Sequence, residues 1–494
     1  MHPLNRRKFL SLGTRALAGA VVASSAGFLN ACQKTSGTVN TLDWKYLSNQ
    51  LSGTVLLPNQ AGFEPFTIPF SLQYKGTVPM AVARCANEKD IVAAIKWARE
   101  MGVPLVARSG GHSYAAYSAT SGLLLDVSSI TDISISSTTG LATIGGGARN
   151  QHVYSALRAP SLSVTHGRCK QVGVAGLVLG GGIGFNMRAH GLTCDNLVET
   201  KMVTADGSVI VCNEKENADI FWAVRGGGGG NFGVHTSFVF RPFPVGNITV
   251  FDMSWQDKVE IVFARLQEVM LAAPDALGAK VWIVSEPVAG MGNRISVKAF
   301  GQFAGEQSQL ENIFKPVTDL VKPVQSVIQT KYYWDGQELL SEEGEPGYGY
   351  ERSRFAYGAI SAQGQAAIFR NIREWPGTSD SVVWKYFLMG GKIDTLGRSD
   401  TAFYARGARL LTSIDMAWKP QDAPKLAANM AWINQFHAEM EQYTSANSYV
   451  NFIDRNQENY LNAYYGSNLD KLKAVKKKID PSNFFNYPQG IPAI

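Results

Sequence analysis

Two nucleophilic side chains, His112 and Cys169, each sit inside a glycine-dense loop. The first loop reads Arg108-Ser109-Gly110-Gly111-His112-Ser113-Tyr114. The second reads Gly167-Arg168-Cys169-Lys170-Gln171-Val172-Gly173 and runs on through Gly176 to Gly180-Gly181-Gly182-Ile183-Gly184. Glycine lets backbone amides approach a ligand closely, and a nest of such amides is a natural anion site, above all for a pyrophosphate. An imidazole in one loop and a thiol in the other can both bond an electrophilic ring lying between them. The combination points to a flavin dinucleotide held by two covalent bonds. The thiolate is the attacking form, and a neighbouring Arg168 or Lys170 would favour it.

The elements that position these loops can be read from spacing. Glu88 to Met101 has helical apolar periodicity closed by Gly102. Val103 to Ala107 is a short apolar strand leading directly into the first loop. Leu72 to Val82 reads as extended, and Leu123–Val127, Ala142–Ile144 and Lys201–Thr204 as strands. From about Val245 the texture changes. Amphipathic stretches (Lys258–Leu271, Gln309–Val321, Pro424–Met440) alternate with strands (Lys280–Ser285, Ser381–Leu388, Phe403–Ile414). The expected fold is α+β: a cofactor domain over 42–245 and a substrate domain over 246–447, an antiparallel sheet backed by helices. The segment 448–494 is expected to return to the cofactor domain.

Composition narrows the function. The chain has 494 residues, 49 of them glycine, and a formal charge of +6. Arg6, Arg7, Lys8 and Arg15 supply four of those charges within an acid-free leader, so no basic footprint for nucleic acid remains. The Lys473 to Lys478 cluster reads as a solvated helix face. Seven scattered histidines offer no short-range ligand spacing, so no metal is expected. No nucleophile-elbow motif supports Ser-His-Asp hydrolysis.

Residues 1–31 read as a targeting signal: Asn5-Arg6-Arg7-Lys8-Phe9-Leu10 is a twin-arginine pattern followed by an apolar run, Ala16 to Leu29. That route exports folded, cofactor-loaded proteins. Leu29-Asn30-Ala31-Cys32 resembles a lipoprotein box, which would make a lipid on Cys32 the membrane contact; ordinary cleavage after Ala31 is the alternative. Residues 32–41 form a linker. Cys85, Cys194 and Cys212 are available for pairing in an exported protein, with partners left open by sequence.

Together the loops, Gly191-Leu192-Thr193-Cys194-Asp195-Asn196, the run Phe221 to Gly233, Tyr449-Val450-Asn451-Phe452, Tyr464-Tyr465-Gly466-Ser467-Asn468 and Asp480-Pro481-Ser482-Asn483-Phe484-Phe485 resemble the berberine-bridge-enzyme-like flavoproteins of the vanillyl-alcohol-oxidase superfamily. The resemblance covers most of the chain after the leader. It implies FAD bonded at its 8α-methyl by His112 and at carbon 6 by Cys169. It further implies cofactor contacts from Arg108, Ser109, Gly110, Gly111, Ser113, Val172, Gly173, Gly176, Gly180, Gly181, Gly182, Gly184, Asn231 and Asn451. In this family a compact side chain at the position of Val172 accompanies oxygen use. Tyr449 matches the family's base, for which a nearby cation, Arg406 or Arg409, would be the activator.

The pattern is broken in places. Tyr404-Ala405-Arg406 replaces Pro-His-Arg, Leu411 and Ser413 replace Lys or Gln, and Ile183 replaces an aromatic. The expected function is oxidation of an alcohol or hemiacetal, sugars and oligosaccharides first, with O2 reduced to H2O2. Tyr332, Tyr333, Trp334, Trp384 and Tyr386 are the aromatics expected to stack on sugar rings. One alternative passes electrons to a quinone or cytochrome. A surface binding lipoprotein is the other class, and it would need none of His112, Cys169 and Tyr449.

Overall fold

The computed structural model describes residues 42–290 and 292–494. The expected leader with its twin-arginine pattern and Cys32, and the linker to Thr41, lie outside the described residues.

The helix Glu88–Met101 forms where its periodicity predicts. Asn87 Oδ1 accepts the N–H groups of Lys89 and Asp90 at its start, and Gly102, at φ 65°, ends it in the left-handed region. It packs on a four-stranded sheet ordered Thr54–Leu56, Ala81–Arg84, Leu123–Asp126, Leu105–Arg108, whose last three strands run parallel. Leu105–Arg108 ends at the first glycine loop, so the sheet aims His112. A second, antiparallel sheet runs Ile133–Ile135, Ala142–Gly145, Val234–Phe240, Leu197–Val203, Val209–Asn213.

The third sheet has seven antiparallel strands, in the order Gln325–Tyr332, Asn247–Trp255, Gly292–Phe303, Leu277–Val288, Val382–Leu388, Leu410–Trp418, Tyr348–Ala356. Helices Val259–Ala272, Gln307–Thr318, Ala362–Arg373 and Leu426–Met440 cover one face of it through a shared apolar core. The opposite face, on which the helix Tyr333–Leu340 packs at one end, supplies the wall of the site.

Two extended readings need correction. Leu72–Tyr74 is a 3-10 turn, and the strand that follows is only Ala81–Arg84. The strand expected over Phe403–Ile414 begins at Leu410. Before it the chain turns tightly, Arg406 N–H donating to Tyr404 O at 2.8 Å and Gly407 standing at φ 82°.

The segment from Ser448 packs with the second sheet's core, through Tyr449, Val450, Tyr464, Tyr465 and Leu472. Its helix Leu469–Ile479 is pinned by Lys476, which is fully buried rather than solvated. Lys476 Nζ donates to Asn231 O at 2.7 Å and Phe485 O at 2.6 Å, and pairs with Asp480 at 2.8 Å.

Candidate active site

The two glycine loops touch backbone to backbone. A Cβ on Gly110 would lie 2.2 Å from Gly173 N, and one on Gly173 would lie 2.4 Å from Gly110 N. Only glycine permits that approach, and it brings His112 and Cys169 to the wall of one cavity of about 300 Å³. The Cys169 loop is held open by the helix Asn150–Arg158: Asn150 Nδ2 donates to Cys169 O at 2.9 Å, and Asn150 N–H donates to Val172 O at 3.0 Å. Among the described residues, the amides of Gly110, Gly111, His112 and Ser113 donate to no protein acceptor. They form the free nest a pyrophosphate requires.

A third segment meets the pair. Gly344, at φ +80°, lies so close that a Cβ there would be 2.8 Å from His112 Cε1 and 3.2 Å from Cys169 Cβ. The imidazole and the thiol therefore converge on one small volume.

Their protonation states differ. Burial, with help from the Arg149 guanidinium, pulls His112 down to about 4, so at neutral pH its ring is uncharged and keeps a free lone pair. Cys169 goes the other way. Burial first, then the Glu342 carboxylate, pushes its thiol up to about 12, and Sγ donates to Glu342 Oε1 at 3.0 Å. Of the two cations expected to activate it, Arg168 does pull the thiol down, but burial and Glu342 outweigh it. Arg168 pairs with Glu342 at 2.8 Å, and Lys170 pairs with Glu338 at 2.5 Å and Glu343 at 2.9 Å. Burial raises Glu342, but Arg168 and Lys280 outweigh it and hold the carboxyl down at about 2. The resting form is a thiol held by a carboxylate.

A second cavity of about 490 Å³ opens on the side of the seven-stranded sheet. It shares Phe70, Tyr114, Cys169, Val172, Phe452 and Ile453 with the first. A ring bonded to both His112 and Cys169 would lie at that shared wall, with Val172 beside it. The second cavity is strongly charged. Lys385 pairs with Glu351 at 3.0 Å and Asp415 at 2.8 Å, and Lys280 and the Arg168–Glu342 pair complete the lining. Its aromatic lining includes Tyr74, Trp282, Tyr348, Tyr350 and Phe387 beside the shared Phe70, Tyr114 and Phe452. The aromatics expected as a sugar platform are elsewhere. Tyr333, Trp334, Trp384 and Tyr386 are buried core, and neither they nor Tyr332 line either cavity.

The other expected site residues divide clearly. Ser109, Gly110, Gly111, Ser113, Val172, Gly173, Gly176 and Asn451 line the first cavity, and Gly184 lines the second. Arg108 lines neither; its guanidinium donates to Ser118 O at 2.8 Å and Phe66 O at 3.0 Å, bracing the first loop from behind. Gly180, Gly181 and Gly182 pack against Asn451, Phe403 and Thr193. Asn231 is also a brace: its Nδ2 donates to Gly227 O at 3.0 Å and its Oδ1 accepts Ile491 N–H at 2.9 Å.

Arg406 is not an activator of Tyr449. It is 2% exposed, locked to both oxygens of Asp195 at 2.8 and 2.5 Å, and lines neither cavity. Arg409 pairs with Asp394 at 3.5 Å. Tyr449 lies behind Phe452, ring centroids 5.2 Å apart, and also lines neither cavity. Its hydroxyl accepts Gly182 N–H at 3.0 Å and Asn451 Nδ2–H at 3.1 Å, and burial raises its pKa. Phe452, with no proton to exchange, holds the place at the shared wall.

Sequence reading missed the Glu342–Gly344 loop, Tyr487, and Lys280. The first comes from the substrate sheet and carries no motif. Lys280 was visible only as one polar residue within an apolar strand.

Comparison with known proteins agrees with this geometry. The family descriptions "FAD binding domain" and "Berberine and berberine like" match residues 79–213 and 448–492. A FAD-linked oxidoreductase of Bacillus subtilis is 32% identical, over 84% of this chain and 92% of its own. The xylooligosaccharide oxidase of Thermothelomyces thermophilus is 28% identical, over 84% of this chain and 87% of its own. The solved structure of Physcomitrella patens BBE-like 1 superposes with a TM-score of 0.83 at 26% identity, covering 92% of this chain and 99% of that one.

Proposed function

Because the chain belongs to the berberine-bridge-like family of FAD-linked oxidoreductases, we propose that it holds its FAD by two covalent bonds, from His112 and Cys169, and oxidises an alcohol or hemiacetal of a sugar or oligosaccharide with O2 as acceptor. The observation that carries the double attachment is the convergence of His112 and Cys169 on the position of Gly344. Free amides at Gly110 to Ser113 suit the pyrophosphate, and the uncharged His112 ring suits bond formation. When bound, FAD supplies a hydride acceptor and a route for electrons to oxygen.

This chain's own residues do the rest. Val172, compact and common to both cavities, leaves room beside the ring for O2. The charged lining around Lys385 suits a substrate rich in hydroxyl groups. Oligosaccharide oxidases among the relatives support a carbohydrate substrate. The leader supports export by the twin-arginine route, and Cys32 supports a lipid anchor.

The test is a panel of sugars and alcohols mixed anaerobically with the holoprotein, following flavin bleaching, then air and a peroxide assay. Bleaching by a sugar and one peroxide per sugar oxidised are expected. Bleaching with fast dye turnover and no peroxide would leave the flavin chemistry and overturn the oxygen acceptor.

A further inference from the structure

Oxidation of a hydroxyl needs a group on the substrate side that takes its proton as the hydride leaves. Neither Tyr449 nor Arg406 reaches the second cavity. The carboxylates that line it are occupied: Glu342 by Arg168 and Cys169, Glu351 by Lys385 and by Ser413 at 2.6 Å, Asp415 by Lys385, and Asp454 by Arg352 and Tyr350, both at 2.7 Å. Glu345 is exposed to water.

One group is left. Lys280, on the strand Leu277–Val288, is 5% exposed and lines this cavity. Among the described residues its Nζ makes no ion pair and no hydrogen bond; it lies over the rings of Phe387 and Trp282, at 4.4 and 4.9 Å from their centroids. A buried ammonium without a carboxylate is unfavourable. We propose that Lys280 is the catalytic base of this chain, its uncharged amine accepting the hydroxyl proton of the substrate.

The neighbours fit that role. Burial first, then Lys385 on the adjacent strand and Arg168 from the Cys169 loop, pull Lys280 well below an ordinary lysine; Glu342 and Glu351 oppose them more weakly. Lys298, across the pair Trp282 and Phe300, is neutralised by Asp252 at 2.9 Å. Lys280 is also close enough to act on the Cys169 thiol electrostatically. Carbon 6 of a flavin adjoins the ring carbon that carries N5, so an amine facing Cys169 faces the hydride acceptor. This placement rests on the proposed bond between Cys169 and FAD.

The step balances. The substrate O–H and one C–H bond break and a C=O bond forms. The proton goes to Nζ, and the hydride carries two electrons to FAD. Dioxygen then takes the two electrons with two protons, one from Nζ and the other the hydrogen that left the substrate carbon, and leaves as hydrogen peroxide.

Two measurements test this. Holoprotein carrying Lys280→Met should keep its flavin but lose about a hundredfold or more in anaerobic flavin reduction, the usual worth of a general base. Lys280→Arg should not rescue it, since arginine does not give up its proton. The wild-type rate should rise with pH as the amine loses its proton, and Lys280→Met should lose that rise. Independently of turnover, competitive acetylation of the wild-type holoprotein, read by mass spectrometry, should show Lys280 becoming reactive at a pH well below the surface lysines.

Reduction by Lys280→Met within about tenfold of wild type would overturn the proposal. So would an ordinary lysine pH dependence, or no titration, in the acetylation series. A raised KM confined to carboxylate-bearing sugars, with kcat retained, would instead make Lys280 an anion receptor. If no sugar or alcohol reduces even the wild-type flavin, the oxidase reading fails, while the acetylation series still decides the state of Lys280.

Discussion

Arg406 offers the sharpest separation between a catalytic and a structural cation. Its guanidinium is 2% exposed and meets Asp195 at 2.8 and 2.5 Å, Thr401 Oγ1 at 2.8 Å and Ile393 O at 3.1 Å. Removing one partner of such a buried pair leaves the other charged and uncompensated, at a cost of about 3–5 kcal/mol. Arg406→Ala and Asp195→Ala should each lose that much in urea denaturation followed by tryptophan fluorescence. The double change Arg406→Met with Asp195→Leu should lose clearly less than the two singles summed, because no charge remains stranded. Turnover per bound flavin should stay within about threefold of wild type in all three, since a residue outside both cavities supplies little transition-state stabilisation. A hundredfold fall in turnover per flavin with unchanged stability would refute the structural assignment.

Three further outcomes follow from the same geometry. Tyr449→Phe removes a hydroxyl that satisfies Gly182 N–H and Asn451, so about 1–3 kcal/mol of stability should go, while flavin reduction falls far less than in Lys280→Met; a larger kinetic loss than Lys280→Met would restore Tyr449 as the base. Burial lowers His166 to about 4, His235 to about 3 and His437 to about 2, from 6.5. The unfolded chain therefore gains protons near pH 6.5 that the folded chain refuses, so this stability is complete above that pH and is lost as pH falls from there toward about 4, 3 and 2 respectively. At pH 5 each contributes a loss of about 2 kcal/mol, together about 6, comparable with a typical net stability of about 5–15; equal urea midpoints at pH 7 and pH 5 would contradict it. Gly344→Ala puts a methyl group against His112 at a positive φ, and should lower the fraction of protein carrying flavin, read as the ratio of visible to ultraviolet absorbance.

Much of the frame was legible because it rests on local chemistry. The helix from Glu88 to Met101 announces its cap, its apolar face and its terminal glycine, and the strand after it ends where the loop must begin. His112 and Cys169 could be paired from sequence because each sits in a glycine-dense loop, where Gly110 and Gly173 permit the close approach. Long-range commitments were not legible. Which cation Asp195 holds, which carboxylate faces Cys169, and that Lys476 is buried all depend on segments meeting from far apart in the chain. The aromatic platform failed for a related reason: Trp384 and Tyr386 alternate with residues facing the cavity, but their own faces lie against the covering helices. Lys280 occupies the other face of its sheet, and burial without a partner is a property that only the packed structure reveals.

The double attachment of FAD is tested most directly by precipitating the protein with acid and measuring the flavin left in solution. Wild type, His112→Ala and Cys169→Ala should all keep their yellow colour in the pellet, and only the double variant His112→Ala with Cys169→Ala should release it. Free flavin in the supernatant of the wild-type protein would contradict the account at its centre.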